Sequence, residues 1–227
     1  MKNLVVIVCM VLMSGCIEQD RDTFDDDVTL KEYSGEHVNE IAFVGDSIAR
    51  NMANYSIMYR RFDESLTISN RAHGGDCIED TVNGGNWQAA FVSHPKYVVI
   101  NLGINDVLCN HGFETITSHY TALVENALKT GTVVYIVNLV PDEKEGTTQH
   151  QINMIGDINA FMNSFKEYVG VVVVDCHTLL SFEGHQVPEY FTADVAWPNY
   201  FGDGLHPNCQ GMALIIDVVK EGCEVKP

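Results

Sequence analysis

Five apolar runs are spaced along the chain, and none of them alternates strictly between apolar and polar positions. Runs rich in Val and Ile without alternation are typical of strands that are covered on both faces of a sheet. Helical patterns separate the runs, and this order predicts an α/β fold with a parallel five-stranded sheet and helices on both sides. The predicted strands are 41–45, 66–69, 97–103, 133–140 and 171–175, and the predicted helices are 47–62, 115–129, 152–168 and 209–221.

Polar residues follow several of the predicted strands. In an open parallel sheet, ligands bind beyond the carboxyl ends of the strands. The polar features from distant parts of the chain are therefore expected to meet at one edge of the sheet. They are Ser47 after the first strand, Gly74 and Gly75 after the second, Asn105 and Asp106 after the third, and the stretch 202–208 (GDGLHPN) before the last helix.

The first residues have the pattern of an export signal. Lys2 precedes an apolar run over 3–13, which is shorter than the roughly 20 residues that span a bilayer. The run ends in Ser14-Gly15-Cys16, so that 12–16 resembles a bacterial lipobox. That resemblance implies removal of residues 1–15, lipid attachment to Cys16 and anchoring in the bacterial cell envelope. The alternative is an ordinary secretory signal in which Cys16 is incidental.

An acidic stretch comes next. Residues 17–36 carry eight Asp and Glu side chains and few large apolar ones. Such a stretch repels itself and buries little surface, so the sequence predicts an extended tether over 16–36. The remaining residues, 37–227, are enough for one domain with one core.

The overall charge excludes one class of partner. The chain has 31 acidic and 13 basic residues and a formal net charge of −18. Binding to a nucleic acid requires clustered basic residues that neutralise phosphates, and this chain has no such cluster. Polyanionic substrates are disfavoured for the same reason.

The cysteines and histidines form no recognisable metal motif. No C-x-x-C or H-E-x-x-H pattern is present, so neither a metal nor any other cofactor is expected. Export would permit disulfides, and Cys77 and Cys109 both follow loops at the predicted edge of the sheet. A bridge between them and a pair of free thiols are both compatible with the sequence. The other cysteines of the predicted domain are Cys176, Cys209 and Cys223.

Ser47 and the stretch 202–208 contain the residue types that serine hydrolysis requires. A serine nucleophile needs a base, a group that orients the base, and donors for an oxyanion. His206 is the candidate base and Asp203 the group that orients it. The candidate donors are the Ser47 N–H at a helix N-terminus, a glycine N–H and the Asn105 amide. The plainer interpretation of Ser47 is a helix cap, since Ser and Asp are preferred there.

Four short motifs in this order resemble the SGNH hydrolases, also called the GDSL esterases and lipases. They are Gly-Asp-Ser at 45–47, Asn70 with Gly75, Gly-x-Asn-Asp at 103–106, and Asp-x-x-His-Pro at 203–207. The resemblance extends over about 37–222. It implies a three-layer α/β/α sandwich of flavodoxin-like topology around a five-stranded parallel sheet.

The resemblance also implies roles for individual residues. Ser47 would be the nucleophile, His206 the base, Asp203 the orienting acid, and Gly75 and Asn105 the oxyanion donors. The block that contains Gly75 is the weakest match, and Gly74 is an alternative donor. Asp106 is expected to brace its loop rather than to react.

The resulting expectation is an enzyme that hydrolyses carboxylic esters of lipids, carbohydrates or small alcohols through an acyl-enzyme. An acyltransferase on the same fold is the first alternative, and an inactive binding lipoprotein is the second. An α/β-hydrolase is disfavoured, because its nucleophile elbow normally follows several strands and Ser47 follows the first.

Aromatic side chains near the last motif are candidates for lining the substrate site, where they would stack on a sugar ring or enclose an acyl chain. Ordinary packing of a long loop is the alternative for several of them. The candidates are Tyr190, Phe191, Trp197, Tyr200 and Phe201, with Trp87 as a further wall.

Overall fold

A five-stranded parallel sheet forms the centre of the computed structural model, which describes residues 24, 27–54, 62, 65–183, 185–191 and 203–224. The strand order is β2-β1-β3-β4-β5, and every neighbouring pair is parallel. The predicted α/β class and the five-stranded parallel sheet are confirmed. The strands are β1 (Val38–Gly45), β2 (Thr67–Asn70), β3 (Pro95–Asn101), β4 (Val133–Val137) and β5 (Val171–Val174).

The central strands are buried along most of their length, as their unbroken apolar runs predict. In β1 the last six residues are buried, and in β3 all but Lys96 are buried. A strand that is covered on both faces needs apolar side chains on both, which is why neither run alternates.

Helices connect the strands. The long ones are α1 (Ser47–Asn54), α5 (Phe113–Lys129), α6 (Gln149–Ser164) and α9 (Cys209–Glu224), and they overlap the four predicted helices. Most of the predicted helix beyond Asn54 falls outside the described residues. Shorter elements that the sequence analysis did not predict are α2 (Ile78–Asn83), α3 (Asn86–Ala90), α4 (Ile104–Leu108), α7 (Cys176–Leu179), β6 (Ser181–Phe182), β7 (His185–Gln186) and α8 (Pro188–Phe191).

The helices form two layers. Helix α1 packs against α9, whereas α5 contacts both α2 and α6. Right-handed crossovers place these groups on opposite faces, because the chain moves from β1 to β2 in one direction and from β3 to β4 in the other. The strand order reverses at β1 and β3, so their carboxyl ends form the crevice in which such folds bind ligands.

Part of the predicted tether belongs to the core, and here the prediction was wrong. Phe24 is 1% exposed and Val28 is fully buried. Phe24 stacks on His119 with ring centroids 3.7 Å apart. These two apolar residues outweigh the surrounding acidic ones, so the domain begins before residue 37. Residues 1–23, with the predicted signal and Cys16, lie outside the described part.

Among the described residues, no helix has both the length and the apolar character needed to cross a membrane.

Candidate active site

The end of β1 turns sharply into α1 and carries Ser47 at the crevice. Gly45 is required there, because a Cβ atom would lie 2.6 Å from both the Asn101 carbonyl oxygen and the Ala49 Cβ. Asp46 Oδ1 accepts the Ile48 N–H at 2.8 Å, which caps the first turn of α1. The cap is therefore Asp46, and the Ser47 hydroxyl is left for another partner.

That partner is His206, 159 positions further along the chain. Ser47 Oγ lies 2.7 Å from His206 Nε2, and His206 Nδ1 lies 2.7 Å from Asp203 Oδ2. An ionised carboxylate only accepts hydrogen bonds, so Nδ1 carries the imidazole proton and donates it to Asp203. Nε2 is then an acceptor, and the Ser47 hydroxyl donates to it.

Asp203 is held in its ionised form. Partial burial alone would raise its pKa, but hydrogen bonds from the His206 side chain and from the backbone N–H groups of His206 and Leu205 outweigh it. The pKa of Asp203 therefore lies well below its usual range. A carboxylate that stays charged keeps His206 in the tautomer that accepts a proton at Nε2.

The loop that carries Asp203 and His206 is anchored on both sides by residues that the sequence analysis missed. The Gly204 carbonyl accepts hydrogen bonds from the Glu143 N–H at 2.9 Å and from the Gln186 side chain at 2.6 Å. Gly204 has φ +77°, which favours glycine.

On the other side of the loop, Asn208 caps α9. Its Oδ1 accepts the N–H groups of Gln210 and Gly211. Asn208 could have been found as a cap, whereas no sequence signal connects Gln186 to this loop.

The two predicted oxyanion residues lie on loops that contact each other. Asn105, in α4, donates one side-chain N–H to the Asp76 carbonyl at 3.0 Å. Asp76 directly follows Gly75. A side-chain amide has two N–H donors, so the second is available for a ligand. The structure thus brings the Asn105 and Gly75 loops together, and it assigns Asn105 a bracing contact as well.

Gly75 occupies a tight turn from His73 to Asp76, closed by an N–H to carbonyl contact of 3.4 Å. Its φ of +90° favours glycine, and a Cβ there would meet nothing within 4 Å. A Cβ on Gly74 would instead meet the Arg50 guanidinium at 2.5 Å. Neither glycine N–H donates to another described residue, so both remain candidates for the donor.

Asp106 braces the loop, as predicted. It is 1% exposed, and its carboxylate accepts the Ile78 N–H at 3.1 Å and lies 3.1 Å from His111 Nδ1. Cys77 and Cys109 form no disulfide, and their sulfur atoms lie 3.9 Å apart.

The aromatic side chains that were predicted to line the substrate site lie in different environments. Trp87 is fully buried, and its indole N–H donates to the Val28 carbonyl at 3.0 Å. It supports the docked N-terminal segment instead of lining the crevice, so that assignment was wrong. Phe191 is 5% exposed and packs in the core, and Tyr190 is half-buried. Trp197, Tyr200 and Phe201 lie outside the described residues.

Asp46, next to Ser47, is a buried acid with an unusual pKa. Burial raises its pKa to about 7, although the hydrogen bond from the Ile48 N–H acts in the opposite direction. Its Oδ2 atom has no hydrogen-bond partner among the described residues. The ionised form of Asp46 is therefore costly in the folded state.

We expect Asp46→Asn to remove one component of the pH dependence of folding stability. A folded-state pKa above the unfolded value favours folding at pH below about 4, and this contribution is lost as the pH rises to about 7. A difference of about three pKa units corresponds to about 4 kcal/mol. Denaturant unfolding should show that, between pH 4 and 8, the free energy of unfolding of the wild type falls relative to that of Asp46→Asn by about this amount. Parallel curves for the two proteins would contradict the assignment.

The comparison with known families agrees with the geometry. The model of the GDSL-like lipase/acylhydrolase family matches residues 43–214, which include Ser47, Asn105 and His206. The chain belongs to this family. No curated protein matches it significantly.

Solved structures of low identity share the fold. A GDSL-like lipase from Bacteroides thetaiotaomicron VPI-5482 is 16% identical, with a TM-score of 0.65 over 90% of this chain and 97% of the other. A lipolytic G-D-S-L family protein from Veillonella parvula DSM 2008 is 21% identical, with a TM-score of 0.62 over 80% and 96%. A catalytic mutant of an acetylxylan esterase from Geobacillus stearothermophilus is 14% identical, with a TM-score of 0.60 over 87% and 98%. They confirm the predicted three-layer α/β architecture.

Proposed function

We propose that this GDSL-family protein hydrolyses carboxylic esters through an acyl-enzyme formed on Ser47. The observation that carries the proposal is the hydrogen-bonded chain from Ser47 through His206 to Asp203, with 2.7 Å at each step. It joins a nucleophile, a base and an orienting carboxylate in the order that serine hydrolysis requires.

In the first half-reaction, Ser47 Oγ attacks the ester carbonyl carbon while its proton moves to His206 Nε2. Asp203 remains ionised and stabilises the imidazolium through the hydrogen bond to Nδ1. The tetrahedral intermediate collapses by breaking the bond to the alcohol oxygen, which takes the proton from Nε2. The alcohol leaves, and the acyl group stays on Ser47 as an ester.

In the second half-reaction, water replaces the alcohol. His206 accepts a proton from the water as the water oxygen attacks the acyl carbon. The proton then returns to Ser47 Oγ as the acid is released, so the enzyme is regenerated without any cofactor.

Three N–H groups support the proposed oxyanion site. The Ser47 N–H stands at the first position of α1, where the helix dipole favours negative charge. The Gly75 N–H, or that of Gly74, and the second N–H of Asn105 come from the two loops that meet at Asp76. An oxyanion that accepted hydrogen bonds from these donors would be stabilised by them.

Short acyl esters, including acetyl esters of carbohydrates, are the substrate class that we propose. The net charge of −18 disfavours polyanionic substrates. One structural neighbour is an acetylxylan esterase, which supports testing acetylated sugars. Transfer of the acyl group to an alcohol is the alternative outcome on the same acyl-enzyme.

We expect the purified protein to release free acid from short-chain esters. The test is a panel of esters that vary in acyl length and include acetylated sugars, each assayed with and without an added alcohol. Free acid as the main product supports hydrolysis, whereas diversion of the acyl group to the alcohol supports the transferase. A protein that releases no acid or acyl product from any ester would contradict both, and would favour a binding lipoprotein.

We also propose that the protein is exported and anchored to the bacterial cell envelope through lipid on Cys16. The support is the sequence pattern over residues 1–16 alone. Incorporation of labelled fatty acid into wild type, and its loss in Cys16→Ala, is the expected result. Equal labelling of the two proteins would contradict this anchor.

A further inference from the structure

A group of side chains behind the proposed oxyanion loops has the composition of a metal site. One ligand atom each from Cys77, Asp106 and His111 lies within 4.8 Å of the other two. Asp106 is 1% exposed, Cys77 is 6% exposed and the His111 side chain is 18% exposed. The three residues come from the N-cap of α2, from α4 and from the loop after α4.

A second cysteine adjoins the group. Cys109 Sγ lies 3.9 Å from Cys77 Sγ. Two thiolates on one tetrahedral zinc ion, each about 2.3 Å from the metal, are separated by about 3.8 Å. A disulfide needs about 2.05 Å. The observed spacing is thus close to that of two ligands on one ion.

The donor types select the class of metal. Thiolate and imidazole favour Zn²⁺ and disfavour Mg²⁺ and Ca²⁺, which prefer sites made only of oxygen ligands. The carboxylate of Asp106 is also an acceptable zinc ligand.

We propose that Cys77, Asp106 and His111, with Cys109 as the fourth ligand, form a Zn²⁺ site that ties the two oxyanion loops together. Cys77 lies two residues after Gly75, and Asp106 directly follows Asn105. A bound ion would therefore add a further link between the loops, which the Asn105–Asp76 and Ile78–Asp106 hydrogen bonds already join. The proposal does not depend on ester hydrolysis, and its test does not use activity.

The competing explanation is that hydrogen bonds alone assemble the cluster. Asp106 accepts the Ile78 N–H and faces His111, which accounts for the position of both side chains without an ion. The 3.9 Å contact between the two thiols is likewise within the range of a hydrogen bond from Cys77 Sγ to Cys109 Sγ. Metal binding distinguishes the two explanations directly.

The experiment titrates the purified, tag-free, reduced protein with Co²⁺ and then with Zn²⁺. We expect one Co²⁺ per chain, a thiolate-to-cobalt charge-transfer absorption, and loss of that absorption when Zn²⁺ displaces Co²⁺. Zn²⁺ should also raise the melting temperature, because a ligand that binds only the folded state stabilises it.

Variants locate the site. Cys77→Ser and His111→Gln should each weaken Co²⁺ binding by about a hundredfold or more. Loss of an outer-shell partner of a metal costs up to about a hundredfold in affinity, and loss of a direct ligand should cost at least as much. Cys223→Ser and His185→Gln are matched controls, because Cys223 is another cysteine outside any disulfide and His185 is another histidine beside a carboxylate. If Cys77→Ser does not fold, Cys109→Ser at an exposed position provides the cysteine test.

Three results would overturn the proposal. The first is the absence of a thiolate-to-cobalt absorption in the reduced wild-type protein. The second is unchanged Co²⁺ affinity in both His111→Gln and Cys109→Ser. The third is a Cys77–Cys109 disulfide in the protein as isolated, which peptide mapping without reduction would detect.

Discussion

Ser47→Ala should lower kcat for ester hydrolysis by at least about 10⁴-fold while leaving the fold intact. The variant removes the Ser47 hydroxyl, which lies 2.7 Å from His206 Nε2. Without this oxygen no acyl-enzyme can form. The fold should survive, because the turn is capped by Asp46 and not by the Ser47 hydroxyl. The measurements are kcat on the best ester of the panel and the melting temperature of both proteins.

Ser164→Ala is the matched control for this variant. Its hydroxyl donates only to the Phe161 carbonyl on the exposed side of α6, so activity should be unchanged. An inhibitor that phosphonylates serine should add its mass to Ser47 in wild type and in Ser164→Ala. Labelling at a different serine, or a Ser47→Ala protein with wild-type kcat, would exclude Ser47 as the nucleophile.

Asn105→Ala should lower kcat by about 10²–10³-fold and change KM little. The reason is that the second Asn105 N–H would meet an oxygen that becomes negatively charged only in the tetrahedral intermediate. Asn105→Asp should be at least as damaging, because a carboxylate would repel the developing charge. Steady-state kinetics on the same ester provide both parameters.

The bracing contact of Asn105 requires a separate control, because losing the hydrogen bond to the Asp76 carbonyl should also cost stability. Asn159→Ala provides it. The Asn159 side chain ties α6 to the Leu139 backbone through two hydrogen bonds, and neither bond involves the proposed oxyanion loops. Asn159→Ala should lower the melting temperature without the loss in kcat. A loss in Asn105→Ala that disappears at a temperature where the variant is fully folded would assign Asn105 to bracing alone.

Local pattern was sufficient for the sheet and for selecting the residues of the Ser47–His206–Asp203 chain. The five apolar runs correspond to the five strands. The central strands β1, β3 and β4 are buried on both faces and therefore need apolar residues on both, whereas the edge strands β2 and β5 are only partly buried. Ser47, Asp203 and His206 could be selected because Gly-Asp-Ser and Asp-x-x-His-Pro are short contiguous motifs.

The short helices α2, α3 and α4 were not predicted, because five or six residues are too few to show a periodicity. The acidic segment before residue 37 was misjudged for a related reason. Its composition indicates a solvated tether, but Phe24 and Val28 alone provide enough apolar surface to dock it. The average charge of a segment does not show that two of its residues pack into the core.

The sequence by itself determined the α/β class, the strand positions, the family and the residues of the Ser47–His206–Asp203 chain, because each depends on composition or spacing within a short segment. Only the tertiary structure decided that Trp87 supports the N-terminal segment, that Asn105 holds the Asp76 loop, and that Cys77 and His111 gather around Asp106. The physical reason is that these contacts join residues from separate loops. Their distances depend on how each loop crosses the surface of the sheet, which no local periodicity encodes.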